Sequence, residues 1–313
     1  MSKEENRKNF SKYVSQNILG MIGFSCYVLA DSYFISIAKG ADGLTALNLV
    51  MPLYSIIFSI GEMIGVGSAI RYAISKIKKD ADADDYFWNA LIWCILSSML
   101  FVFAGIFFSA DIMRVLGADE HIVAVGNNYT KIFMCFAPMF MCNYVTNAFV
   151  RNDGAPGIAM SATLFSSLFN IVFDYILMFP MNLGMEGAAL ATALSPIIGM
   201  GICSIHFFSK KSSVRLVVCK PSVRKLVAGC QLGVKLYFIG IFFAGINIVG
   251  GGAFSATEDA FKAAVVSVAR GFVLILGAVF VMSAFFGMTG VWLAYAVAEG
   301  ITTFIMLVMA MRV

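Results

Sequence analysis

Charge is scarce in this sequence: of 313 residues only 13% are Asp, Glu, Lys or Arg, 60% are apolar, and the mean hydropathy is +0.87. That balance excludes a soluble globular domain and makes the lipid bilayer the solvent of the chain. Histidine is rarer still, at two residues (His121 and His206), and the seven cysteines are scattered with no Cys-x-x-Cys pair. Neither a zinc site nor a disulfide framework is expected. GxSxG, HExxH and GxxxxGK[ST] are also missing, so no residues for hydrolytic or ATP-driven chemistry are visible and an enzyme is not expected. The polar opening MSKEENRKNFSKYV leads into an apolar stretch without a small-residue cleavage pattern. This stretch is read as a retained first span, not a signal peptide. The net charge of +4 does not imply a nucleic-acid partner, because the basic residues gather in short segments between apolar runs.

What the chain has in abundance is long apolar runs. A crossing helix needs roughly 20 residues, and the runs are too long for barrel strands. Spans are expected near 14–37, 45–69, 87–109, 126–149, 157–180, 184–208, 236–254, 263–285 and 288–311, an all-α polytopic architecture. Lys3, Arg7, Lys8 and Lys12 lie in the tail, Arg71, Lys76, Lys78 and Lys79 in the second loop, Arg151 in the fourth, and seven basic residues from Lys210 to Lys235 in the sixth. The first, third and fifth loops and their span ends hold only Lys39, Arg114 and Lys131. The tail and even loops are therefore expected on the cytoplasmic side. The sixth loop, basic with interleaved apolar residues, reads either as an interfacial helix on an anionic leaflet or as a solvated connector.

The chain repeats itself. LGMEGAALATAL (183–194) matches FGMTGVWLAYAV (286–297), and NYVTNAFVRNDGAP (143–156) is loosely echoed by NIVGGGAFSATEDA (247–260). Secondary transporters are built from such repeats. The offset of 103 residues holds three spans. An even number is expected between copies facing the same way, so one odd block looks absent.

Acids at span depth cost about 2.5 to 3.5 kcal/mol and usually face a cavity on an ion or substrate path. Asp31, Glu62, Asp174 and Glu299 qualify. Asp31 and Asp174 each sit about six residues, roughly 9 Å, beyond the midpoint of an outward-running span, and are thus at matched depth. Asn170 shares a helix face with Asp174 at i, i+4, and Thr192 reaches a comparable level. Two carboxylates, an amide and a hydroxyl suit sodium or a shared proton; the alternative for each acid is interfacial water or a structural hydrogen bond. Glu62 and Glu299 lack a partner of matched depth. Asn143 and Asn147, with Arg151 one turn on, either line a cavity or bond neighbouring helices.

SQNILGMIGFSCYVLADSYFIS (15–36), GEMIGVGSAIRYAIS (61–75), VRNDGAPGIAM (150–160) and FNIVFDYILMFPMNLGMEGAALATALS (169–195) resemble the multidrug and toxic compound extrusion (MATE) transporters. The resemblance implies an N-lobe of six spans over 1–208, a basic interlobe linker over 209–235, and over 236–313 the last three spans of a C-lobe whose first three are missing. It implies a bacterial inner (plasma) membrane antiporter that exchanges sodium or a proton for organic cations or drugs, with Asp31, Asn170, Asp174 and Thr192 as the cation site and no cofactor. Glu62, Asn143, Asn147 and Glu299 remain cavity-lining candidates. The shortened C-lobe leaves other readings open: a non-transporting fragment, a half-transporter that needs a second copy or a partner chain, or a flippase for a lipid-linked precursor. Gln16 and Asn17 also stand where many family members place a proline early in the first span.

Overall fold

The computed structural model describes residues 3–231, 243, 245–247 and 274–310, and all regular structure among them is helical. The chain divides into two compact units, Met1–Gly229 and Cys230–Val313. In the first, helix α1 (Lys3–Lys78) has 76 residues, about 110 Å at 1.5 Å per residue and far more than one crossing. It is broken at Gly40, where φ is 61° and ψ is −144°. A Cβ there would meet nothing within 4 Å, so glycine is required by the backbone angle and not by crowding. The loop expected between the first two spans is thus reduced to a single residue.

Helices α2 (Asp85–Val115), α5 (Pro156–Met178) and α6 (Gly184–Phe207) follow the third, fifth and sixth expected spans. The expected fourth span is instead a pair, α3 (Glu120–Cys135) and α4 (Ala137–Asn152), bent by 46°. Pro138, in the first turn of α4, has no N–H to continue the ladder of α3, which is why the axis breaks there. By length and composition four helices among the described residues can cross a membrane, or five with the bent pair as one crossing. The break at Gly40 divides the first of these into two helical stretches. The core of the unit is closed by small residues, with Val150, Ala159, Ala162 and Cys203 joining α4, α5 and α6.

In the second unit, helix α7 (Leu274–Ala310) runs for 37 residues without interruption, through the gap expected between the eighth and ninth spans at 286–287. Most of the expected seventh span and the first part of the eighth lie outside the described residues.

Beyond α6 the chain returns across the end of the bundle where α1, α4 and α6 finish and α2 begins. Residues 212–222 carry no regular structure and 223–231 are helical, so only the second part of the basic segment forms a helix. Asp153, just past α4, accepts from the Ser213 backbone N–H at 2.9 Å and the Ser212 hydroxyl at 3.2 Å. It also accepts from the Ser213 hydroxyl and faces His206 Nε2 at 2.8 Å. The Tyr72 hydroxyl completes the group, 3.0 Å from Ser213 Oγ. Further along, Asn89 of α2 accepts from Ser222 N–H at 2.6 Å and donates to Cys219 Sγ at 3.1 Å. Lys225 pairs with Asp85 at 2.5 Å and Asp82 at 3.6 Å, and Arg71 donates to the Ala228 carbonyl at 2.9 Å. Residues 209–229 are thereby part of the first unit.

Burial by itself would raise the Asp153 carboxyl, but hydrogen bonds from Ser213 and His206 outweigh it and hold the group below the ordinary carboxylate value. A depressed folded pKa gives stability that is present above the unfolded value and lost as pH falls through the folded one. Asp153→Ala removes the acceptor of this clasp. With hydrogen bonds to a charged group at about 1.5 to 3 kcal/mol each, trypsin is expected to cut after Lys210 or Lys211 at least about tenfold faster in the purified protein, because cleavage tracks the opened population. Unchanged cleavage would refute the clasp.

Candidate cation site

The polar residues at span depth are placed by the α5–α6 hairpin and the first half of α1. Asn170 and Asp174 are fully buried on one face of α5, Thr192 on α6 is 3% exposed, and Asp31 on α1 is 6% exposed. When the Asn170 amide turns its nitrogen to Asp174, it donates to Asp174 Oδ2 at 3.2 Å. Its oxygen then accepts from both the hydroxyl and the backbone N–H of Thr192, each at 3.2 Å. Pro196 in α6 has no N–H for the carbonyl four residues back, that of Thr192. The Ser195 hydroxyl takes that place, donating to Thr192 O at 3.0 Å, while Ser166 of α5 donates to Ser195 O at 2.6 Å. Thr192 is thus held at a local irregularity of α6 that α5 braces from the side.

Asp31 and Asp174 are close enough for their charges to act on each other. Oδ1 of each is buried without a hydrogen-bond partner. Two anionic oxygens in such a place are costly unless something positive shares them. The remaining donors are a neutral amide and hydroxyl, and among the described residues no cluster of three or more His, Cys, Asp or Glu exists that could hold a metal ion. An all-oxygen donor set of this kind is chemically able to hold a hard cation or a proton.

Three tyrosines complete this environment and were not singled out from the sequence. Tyr27, Tyr54 and Tyr129 all lie within the electrostatic reach of Asp31 and Asp174, and the Tyr54 and Tyr129 hydroxyls are hydrogen-bonded to each other. Tyr54 also stacks on Phe133 with ring centroids 3.7 Å apart. Only Tyr27 left a trace in the sequence: it precedes Asp31 by four residues, the same spacing that joins Asn170 to Asp174.

The other candidates stand elsewhere. Glu62 in α1 is half-buried and interacts with Arg151 and Tyr144. Asn147 donates to Thr163 Oγ1 at 3.5 Å and accepts from Arg151 at 3.3 Å, so it joins α4 to α5. Asn143 points its buried Oδ1 at Gly199 of α6, within 2.8 Å of where a Cβ would sit. Glu299, in the second unit, accepts from Asn247 Nδ2 at 2.8 Å, and Thr303 donates to Asn247 Oδ1 at 3.0 Å.

Known proteins share both the sequence pattern and the helical arrangement. A sequence profile of the MatE family matches residues 17–176. The multidrug export protein MepA of Staphylococcus aureus strain MRSA252 is 26% identical over 235 residues, covering 74% of this chain and 52% of that protein. The MepA of Staphylococcus saprophyticus is 25% identical over 239 residues with the same coverage. The chain spans about half the length of the curated relatives it matches. Among solved structures, a MOP superfamily transporter from Pyrococcus furiosus is similar in fold, with a TM-score of 0.65 at 19% identity over 96% of this chain and 95% of that one. The MATE multidrug transporter DinF-BH gives a TM-score of 0.63 at 18% identity, over the same shares.

Proposed function

The chain belongs to the MatE family of membrane transporters, and from that premise we propose that it is the coupling part of a multidrug antiporter that exchanges sodium or a proton for organic cations. The observation that carries this reading is the pair of buried carboxylate oxygens, one each on Asp31 and Asp174, that lack a hydrogen-bond partner. Asp174 is the principal coupling carboxylate, Asp31 its partner, and Asn170 and Thr192 the neutral ligands. A bound cation cancels the repulsion between the two acids. Its departure restores that repulsion and favours a different packing of α1 against α5. By linkage, a substrate cation that binds better to one packing weakens the hold on the coupling ion, and the ion weakens the hold on substrate by the same factor.

The same reading places the chain in the plasma (inner) membrane of a bacterium with its N-terminus in the cytoplasm, supported by the basic residues of the tail and even-numbered loops. It also assigns 1–208 to an N-lobe, 209–235 to a linker and 236–313 to part of a C-lobe.

The repeat offset of 103 residues, which holds only three expected spans, favours a second reading, a half-transporter that works with a second copy or a partner chain. Dye efflux in a transporter-deficient host separates the two. If cells with the intact chain in their membrane retain an organic-cation dye as control cells do, autonomous transport is refuted.

A further inference from the structure

The returning segment after α6 has a property that the cation site does not use. Over 209–231 there is no Asp or Glu, and Lys210, Lys211, Arg215, Lys220 and Arg224 are all exposed. So are apolar side chains on the same stretch: Leu216, Val217, Val218 and Val223. Of these Val218 is 77% exposed, an unfavourable state for an apolar group in water. Of the four acids in the neighbouring loop, Asp84 pairs with Lys76 and both Asp82 and Asp85 with Lys225, and among the described residues none of these or Asp80 forms an ion pair with the five exposed lysines and arginines. Arg71, Lys78 and Lys79 at the same end of the bundle add to the positive field.

The height of this segment in the membrane is set by its anchors. Cys219 and Ser222 are bonded to Asn89, one turn inside the start of α2. The lipid-facing side of α2 begins just beyond, at the exposed Ile95, Leu96, Met99 and Leu100. Asn89 and Ile95 are separated by six residues, about 9 Å of helix. The headgroup region of one leaflet is on the order of 5 to 8 Å deep. The segment is therefore fastened near the outer edge of the headgroup layer, against the least buried of the four candidate spans among the described residues.

We propose that residues 210–227 form a strap that binds anionic phospholipid, with its exposed apolar side chains reaching into the headgroup layer and its five exposed basic residues on the headgroup phosphates. Aliphatic groups beside cationic ones, held where they can reach into the headgroup layer, are complementary to such a lipid and to no feature of bulk water.

The test uses the full chain in nanodiscs of equal phosphatidylglycerol and phosphatidylcholine, with a benzophenone amino acid in place of Val218 or Val223, and in place of the exposed loop residue Ala81 as a control. After illumination, adducts are identified by mass spectrometry. Lipid adducts are expected at 218 and 223 in excess over 81, with phosphatidylglycerol favoured at least about fivefold, the factor corresponding to about 1 kcal/mol for one basic side chain near the surface. That preference is expected to collapse toward parity when salt is raised on the otherwise unaltered chain, and in the variant with Lys210, Lys211, Arg215, Lys220 and Arg224 each changed to Gln. Adducts no more frequent at 218 and 223 than at 81 would make the segment a solvated connector and overturn the proposal. Equal use of the two lipids at low salt would overturn it as well.

Discussion

Asp174→Asn is expected to remove ion coupling while leaving the protein folded. The substitution keeps the shape of the side chain and an oxygen for Asn170 to bond, but takes away one of the two charges that share the site. Coupling free energies between sites are typically about 1 to 3 kcal/mol, so coupled efflux should fall about 5- to 150-fold. A binding measurement tests the same point whether or not the chain transports alone. Any ligand of the folded state raises stability by mass action, by about 2.7 kcal/mol at 100 times its Kd. The thermal stability of the unaltered chain should thus rise with sodium or depend on pH, and that response should vanish in Asp174→Asn and weaken in Asp31→Asn. A fully active Asp174→Asn variant, or one with an intact ion response, would remove Asp174 from the coupling role.

Gly187→Ala should be among the most damaging small substitutions in the first unit. An added Cβ would stand 2.7 Å from the Leu177 carbonyl carbon and 2.9 Å from both its oxygen and Met178 N. All three are backbone atoms, and no rotamer change can clear them. Leu177 O is moreover the acceptor for Leu183 N–H at 3.0 Å, which closes the α5–α6 turn and keeps that backbone from retreating. Overpacking costs about 1 to 3 kcal/mol, and against a fixed backbone the upper part of that range is expected. The same displacement would part α5 from α6 and lengthen the Asn170–Thr192 contact. The variant should therefore unfold at lower temperature in detergent and also respond less to the coupling ion. A normal melting temperature would show that the two helices do not approach this closely at Gly187.

Gly187 also shows how a sequence signal acquires a cause. It is one of the positions that recur in the repeat, as Gly290, and in the sequence it is only a match. In the structure it is the point where α6 touches the backbone of α5, which is why a side chain is not tolerated there. Gly65 is a similar case: in the sequence it is one small residue of GVGSA, and in the structure its Cβ position lies 3.0 Å from the Val145 backbone. By contrast, nothing in the hydropathy of 126–149 distinguishes a straight span from the α3–α4 pair, because both are equally apolar and only Pro138 marks the break.

The sequence by itself determined the solvent of this protein, its all-helical build and the identity of the costly acids. These follow from apolar run length and from i, i+4 spacing, which are properties of one helix at a time. Tertiary structure alone decided that Asn170 and Asp174 of α5 are buried together with Thr192 of α6 and Asp31 of α1, that Tyr54 and Tyr129 are hydrogen-bonded to each other, and that the basic segment is bonded to α1, α2 and the end of α4. Each depends on how helices rotate and lean against one another. That is set by side chains distant in sequence, so it has no period along the chain from which it could be read.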